Sequence, residues 1–396
     1  MIPAADLPAL FADPHAAFRT LRAEHPVVEV MPRLYLVLRH SNVMEATMDE
    51  RLRQMRGSDY VQLAGIPEGR VAEFLSRIML FDPSPSHPVK RRPFNTALSF
   101  PKINALAGNI TGIAEAQVAA LPAETPIDLV GALSARLPTA VIAGLLGLDI
   151  AEDELDWTAE RVNMLSLSLA AVYPMDRHGE IEAALEDLIG LVSREMEARR
   201  RVGRDDLLTA LVDERGALSP EDLVMQIVGM VMGGSHTILA ALPLAASYIL
   251  PRWDEAQPVL EDAIREVLRL DSPIGTLPLW TDEDWPVPGG EDTIPGGSMV
   301  GLSILSAMRD PEVFEDPEAF QPVRAPSREL VFGTGAHRCM GSRIAILEIA
   351  ATLTALQDRF CRIEMPEAAV LEGFGGVRKA APFPVVLHRR PVDAAR

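Results

Sequence analysis

From Ser219 to Leu250 the chain reads SPEDLVMQIVGMVMGGSHTILAALPLAASYIL, an apolar helical pattern with no convincing stop. Its start is well marked. Ser219 can cap the first turn, Pro220 suits the first helical position, and Glu221 and Asp222 meet the positive end of the dipole. A helix this apolar needs cover on nearly every side, so it is expected to cross the whole molecule. Its length also suits a membrane span, but Gly233, Gly234, His236 and Pro243 argue for a buried core helix. Each central glycine lowers helix stability by roughly 1 kcal/mol relative to alanine. The pair therefore implies close helix packing, a flat wall against a ligand, or an opening in the hydrogen-bond ladder.

The rest of the chain is read around that helix. Helical periodicity covers 13–24, 102–120, 132–146, 151–167, 179–199, 205–213, 254–270 and 340–358. Short β-rich runs lie near 26–38, 275–300 and 383–388, and Pro- and Gly-rich extended segments cover 281–297 and 310–336. The fold class is mainly α with small β-sheets. No repeat or linker divides the chain, so residues 1–396 are read as a single domain. A net charge of −19 disfavours nucleic acid or an anionic membrane as partner. The 2 cysteines, Cys339 and Cys361, are too few for a disulfide framework or a zinc ribbon. The start, MIPAADLPALFADPHAAF, lacks the basic and apolar regions of a signal peptide, so a cytoplasmic, reduced protein is expected.

Chemistry concentrates in 330–345, LVFGTGAHRCMGSRIA. Cys339 stands in a loop with Gly333, Gly335 and Gly341, just before an amphipathic helical run. At a helix start, free N–H groups and the dipole favour an anion, which suits a thiolate. A lone buried cysteine is usually structural, but three glycines and two basic neighbours make that reading a poor fit here. Phe332-x-x-Gly335-x-x-x-Cys339-x-Gly341 resembles the haem-thiolate signature of the cytochromes P-450. Glu266-Val267-Leu268-Arg269, followed by Asp271-Ser272-Pro273, is similar to the family's E-x-x-R, whose partners share a helix face at i and i+3. Residues 307–324 resemble the segment leading to the family's meander, with Phe320 and Arg324 as buttresses.

The resemblance implies a cytochrome P-450 fold with the long central helix over haem b, the iron being ligated by Cys339. His87 and Arg91, in DPSPSHPVKRR, and His337 match propionate contacts, while Phe332, Gly335 and Gly341 frame the cofactor. Leu279 stands where the family commonly has a propionate-binding arginine, so that anchor is missing. GGSHTI falls at the oxygen-activation notch, with Gly233, Gly234 and Thr237 in the usual places and His236 where an acid is expected. Three roles remain open for His236: a structurally satisfied imidazole, a proton relay near its ordinary pKa of about 6.5, or a peroxidase-like base. The implied activity is that of a bacterial, ferredoxin-dependent monooxygenase that hydroxylates or O/N-dealkylates a small apolar molecule.

The substrate pocket is expected from Met230, Ile274, Thr276, Leu277 and Phe383, the irregular stretch 57–80, and a lid near 163–175. Expected partners are ferredoxin and ferredoxin reductase, steered by Lys90-Arg91-Arg92 and by Arg338 with Arg343, with the protein itself a monomer. Two other classes compete: a peroxygenase or oxidative coupling enzyme, and a non-catalytic haem-binding protein.

Overall fold

Ser219 Oγ accepts the amide of Asp222 at 3.0 Å and starts a helix that runs Pro220–Ile249. At 1.5 Å per residue that is about 45 Å of helix. In this computed structural model the described residues are all but 1, 99–102, 105, 171, 325–329 and 391–396. Parts of the expected helix 102–120, of the lid and of the extended run 310–336 therefore lie outside them.

The central helix is covered by two separate cores. Its N-terminal half, Leu223 to Met232, packs with Ile142 and Leu146 of helix Leu137–Leu146 and with Ile181, Leu185 and Leu188 of helix His178–Arg201. Its C-terminal half, from Ile238 to Ile249, packs with Ile264 and Val267 of helix Leu260–Leu270 and with Ile349, Leu353 and Leu356 of helix Ser342–Arg359. Each such side chain contributes about 1.5–3 kcal/mol by leaving water. The polar interval Gly233–Thr237 lies between the two cores. This burial makes the segment a core helix, although it is long and apolar enough to cross a membrane.

Five strands form the larger sheet, in the order Val27–Met31, Leu34–Val37, Ser298–Ser303, Thr276–Thr281, Leu52–Gln54. Only the pairing of Leu34–Val37 with Ser298–Ser303 is parallel. On one face Leu52, Leu277 and Leu279 pack with Leu330 and Val331, which lead into the cysteine loop. A second sheet joins Pro126–Asp128, Pro384–Arg389 and Phe360–Glu364.

Most helical readings hold within a few residues, and the departures have local causes. The run 254–270 is broken by a 3₁₀ turn at Gln257–Val259, because Pro258 has no N–H to continue the ladder. The stretch 57–80 is not irregular: it contains helices Gly57–Ala64 and Arg70–Arg77.

Gly275 couples the sheet to the turn at 374–376. Its amide donates to the Gly376 carbonyl at 2.9 Å, and a Cβ there would lie 2.3 Å from the Phe374 oxygen. Gly275→Ala is expected to destabilise the protein by about 1–3 kcal/mol. Thermal unfolding checks this, and an unchanged Tm would contradict the close approach.

Candidate active site

Cys339 is anchored by its own backbone, whose amide donates to the Phe332 carbonyl at 2.7 Å. The loop can turn back on itself because Gly333 and Gly335 adopt φ of 69° and 60°. Its sulfur lies at the start of helix Ser342–Arg359 and receives the backbone N–H groups of Gly341 and Ser342. Burial pushes the thiol pKa up, against the Gly341 amide, Arg91, the Ser342 amide and Arg338, which pull it down. The residue still keeps accessible surface. A coordinated cation would complete its deprotonation.

Arg91, on helix Ser86–Ala97, binds the loop directly. Its Nη1 donates to the Ala336 carbonyl at 2.6 Å, its Nη2 to the Arg338 carbonyl at 2.5 Å, and its Nε to Asn95 at 3.2 Å. Three of its five N–H groups thus clamp Asn95 and the residues flanking His337, and two stay uncommitted among the described residues. The His87 and His337 rings stack with centroids 3.8 Å apart. His87 is buried, and its Nδ1 has no partner among the described residues. Burial, then the charge of Arg91, lowers the His87 pKa, and burial with His87 and Arg91 brings His337 down to about 4.

The E-x-x-R pair forms the strut behind this loop. Arg269 Nε and Nη2 reach the two Glu266 oxygens at 2.7 and 2.9 Å, and Arg324 Nε adds a third bond at 2.9 Å. Arg269 Nη1 also donates to the carbonyls of Met308 and Pro317, and Arg324 Nη1 to that of Glu315. These bonds pin the segment 308–324 to helix Leu260–Leu270. Phe320 instead packs on Tyr248 and Arg252 near the end of the central helix, while Phe314 lies under Arg269.

At the notch, Gly233 is exposed although it lies mid-helix beside buried Met232, and a Cβ there would meet nothing within 4 Å. Thr237 Oγ1 donates to the Gly233 carbonyl at 3.0 Å. Gly234 backs onto Ile142, and Ser235 lies 3.5 Å from the Thr139 hydroxyl. His236 Nδ1 is buried without a partner among the described residues, and burial alone lowers its pKa to about 4. Its imidazole is neutral at physiological pH.

Among the expected pocket residues, Met230, Ile274 and Leu277 keep accessible surface, and Leu277 Cδ1 lies 4.0 Å from the Cβ position of Gly333. Thr276 and Phe383 do not line the space. Thr276 is buried with its hydroxyl on the Phe374 carbonyl, and Phe383 is 1% exposed within the core of the second sheet and helix Ser342–Arg359. Sequence reading missed a contact across the lid, where Tyr60 stacks on Phe81 and its hydroxyl donates to the Ser168 carbonyl at 2.9 Å. No spacing in the sequence announces it. It also missed Glu348, wholly buried with Oε1 unpartnered among the described residues and its pKa pushed by burial up to about 8.

These features fit a flat, thiolate-ligated cofactor that carries carboxylates. Cys339 supplies the sulfur, Gly233 leaves space that any side chain would fill, and His87 and His337 offer ring nitrogens to an acid group.

A family model described as cytochrome P450 matches residues 254–373. The chain is 32% identical to the vitamin D(3) 25-hydroxylase of Pseudonocardia autotrophica, over 85% of this chain and 83% of that protein. It is 28% identical to the plant-inducible cytochrome P450-pinF1 of Rhizobium radiobacter, over 96% and 91%. The tirandamycin C-bound P450 monooxygenase TamI superposes with a TM-score of 0.82 at 27% identity, covering 98% of this chain and 100% of that one. CalO2 gives a TM-score of 0.86 at 24% identity, covering 97% and 99%.

His236 and Glu348 predict opposite pH dependences of stability. An unfolded histidine titrates near 6.5 and folded His236 near 4, so the unfolded state binds more protons between those values and stability falls as pH drops through that window. The full effect is about 3 kcal/mol. For Glu348 the values are 4.5 unfolded and about 8 folded, so stability falls as pH rises between them. In thermal unfolding from pH 4.5 to 8, His236→Leu is expected to flatten the acid side and Glu348→Gln the alkaline side. Wild-type slopes in both variants would refute these assignments.

Proposed function

The chain belongs to the cytochrome P450 family of haem-thiolate monooxygenases, and from that premise we propose that Cys339 ligates the iron of a haem which oxidises a neutral, largely apolar small molecule. The observation that carries this is the joint presence of the Cys339 cradle and the open Gly233–Thr237 notch. When bound, haem supplies dioxygen binding and, through electron release from its thiolate ligand, O–O cleavage. This chain's residues do the rest. The Gly341 and Ser342 amides hold the sulfur, and Gly233 makes room for the cofactor. Thr237, whose hydroxyl donates to the Gly233 carbonyl, would offer that hydroxyl to hold or pass a proton in the notch. Apolar Met230, Ile274 and Leu277 exclude water and accept an uncharged substrate.

His236 stands in this reading as a neutral imidazole. It accepts a proton more readily than it donates one at neutral pH, which narrows the relay to a base-first exchange through water. The similarity to a vitamin D(3) 25-hydroxylase supports hydroxylation of an apolar molecule. We read residues 1–396 as one cytoplasmic, monomeric P450 unit with haem b, served by a ferredoxin and its reductase. The acceptor surface is narrower than the basic islands suggest. Lys90 pairs with Asp82 at 2.9 Å and Arg343 with Glu261, while the Arg92 and Arg338 side chains stay exposed. In a chain of charge −19, two such cations select one face for an acidic protein.

The test is turnover of a compound that shifts the haem spin state, with ferredoxin and reductase or with hydrogen peroxide alone. Product only with the protein donors is expected. Equal product from peroxide would favour the peroxygenase reading, and none from either would favour a haem-binding protein. Arg92→Glu with Arg338→Glu is expected to raise the ferredoxin KM several-fold, about 1 kcal/mol in encounter free energy; an unaltered KM would move the docking site elsewhere.

A further inference from the structure

One polar side chain of the apolar run is not explained by the notch. Gln226 stands between Met225 and Ile227 and is 1% exposed. A buried amide is costly unless both its ends are bonded. Here both are: Gln226 Oε1 accepts the Met79 amide at 2.7 Å, and Nε2 donates to the Arg77 carbonyl at 2.9 Å. One side chain thus grips two backbone groups of the same segment, as a neighbouring strand would. Gly229, one turn on, completes the seat. A Cβ there would lie 3.2 Å from Ile78 Cγ2, so buried Ile78 lies flush against the helix.

The position of that segment decides what it can do. Gln226, Met230, Gly233 and Thr237 recur at i, i+4, i+7 and i+11 of one helix and so share a stripe. Gln226 therefore hangs the segment on the notch face, one turn before Met230 and about 10 Å before Gly233. Other elements hold the segment from outside. Gln54 Nε2 donates to the Leu80 carbonyl at 2.9 Å, and Tyr60 stacks on Phe81 at 4.8 Å. Arg77 pairs with Asp222 at 2.8 Å, at the start of the central helix. The Arg77 carbonyl keeps a second donor in Lys90 Nζ at 2.8 Å, so the Met79 N–H is the group that depends on Gln226.

We propose that Gln226 is a positioning residue for the substrate: it fixes Ile78–Leu80 across the notch face, where half-buried Met79 and exposed Leu80 wall the pocket at the end away from Thr237. Both wall residues are apolar, so the molecule that meets them there is apolar at its far end. The length of the pocket is then set by a polar side chain that the substrate itself never touches. This rests on the haem-thiolate reading given above and adds which residue limits the size of the substrate.

The experiment titrates the haem-loaded protein with two azoles and follows the haem spectrum. Imidazole is too small to reach the wall, whereas the chain of N-dodecylimidazole is long enough. Gln226→Met keeps the side-chain length and removes both bonds. Its affinity for N-dodecylimidazole is expected to fall about ten-fold, as for stranding one buried N–H, with imidazole affinity unchanged. Amide deuterium exchange in residues 77–81 is expected to quicken in the same variant. Met79→Ala is expected to weaken N-dodecylimidazole several-fold in the wild-type background and no further in Gln226→Met, because the two act through one wall. Equal losses for both azoles, additive effects, or N-dodecylimidazole affinity in Gln226→Met within about two-fold of wild type would overturn the proposal. Should the buried substitution cost the fold, Met79→Ala decides alone: its half-buried site tolerates truncation, and unchanged N-dodecylimidazole binding would overturn the wall. A wild-type protein whose spectrum does not respond to imidazole would overturn the haem reading itself, a separate result.

Discussion

One apolar helix about 45 Å long has to be covered on every side except at its middle, and the molecule is organised around that requirement. Two cores cover its halves: one from helices Leu137–Leu146 and His178–Arg201, the other from Leu260–Leu270 and Ser342–Arg359. Where they part, a Cβ added at Gly233 would meet nothing within 4 Å. The helix continues through this gap because both ends are held by burial, so the local weakness of two glycines is tolerated. A cofactor and its substrate can then approach the backbone.

The sulfur is positioned by charge and backbone bonds more than by packing. Glu266, Arg269 and Arg324 form a buried three-residue network that grips carbonyls from Met308 to Ala319. Breaking one partner of such a network strands a charge at low dielectric, typically a loss of about 3–5 kcal/mol. Arg91 clamps the loop from the opposite side. The cysteine is thus fixed between an ion-pair strut and a guanidinium clamp, which limits reorganisation on ligation.

Much of this was legible in the chain. The glycine spacing around Cys339, the i, i+3 relation of Glu266 and Arg269, and the capped apolar run from Ser219 each reflect local geometry, and each fell where expected. The misplacements involve contacts between distant segments. Arg91 also holds the Ala336 and Arg338 carbonyls, a contact that no spacing in the sequence announces. Phe383 and Thr276 were absorbed into packing, since an apolar side chain or a small hydroxyl carries no mark of which side of a strand faces a cavity.

The sequence by itself determined the central helix, the thiolate loop and its ion-pair strut, because capping, glycine torsions and helical spacing act over a few residues. Tertiary structure alone decided the state of His236 and the fate of the charges. His236 is held neutral by burial of its ring, and Arg343 is paired because the fold brings Glu261 to it from another helix. Desolvation and competition for partners depend on what the whole chain brings within a few ångströms, and no local pattern encodes that.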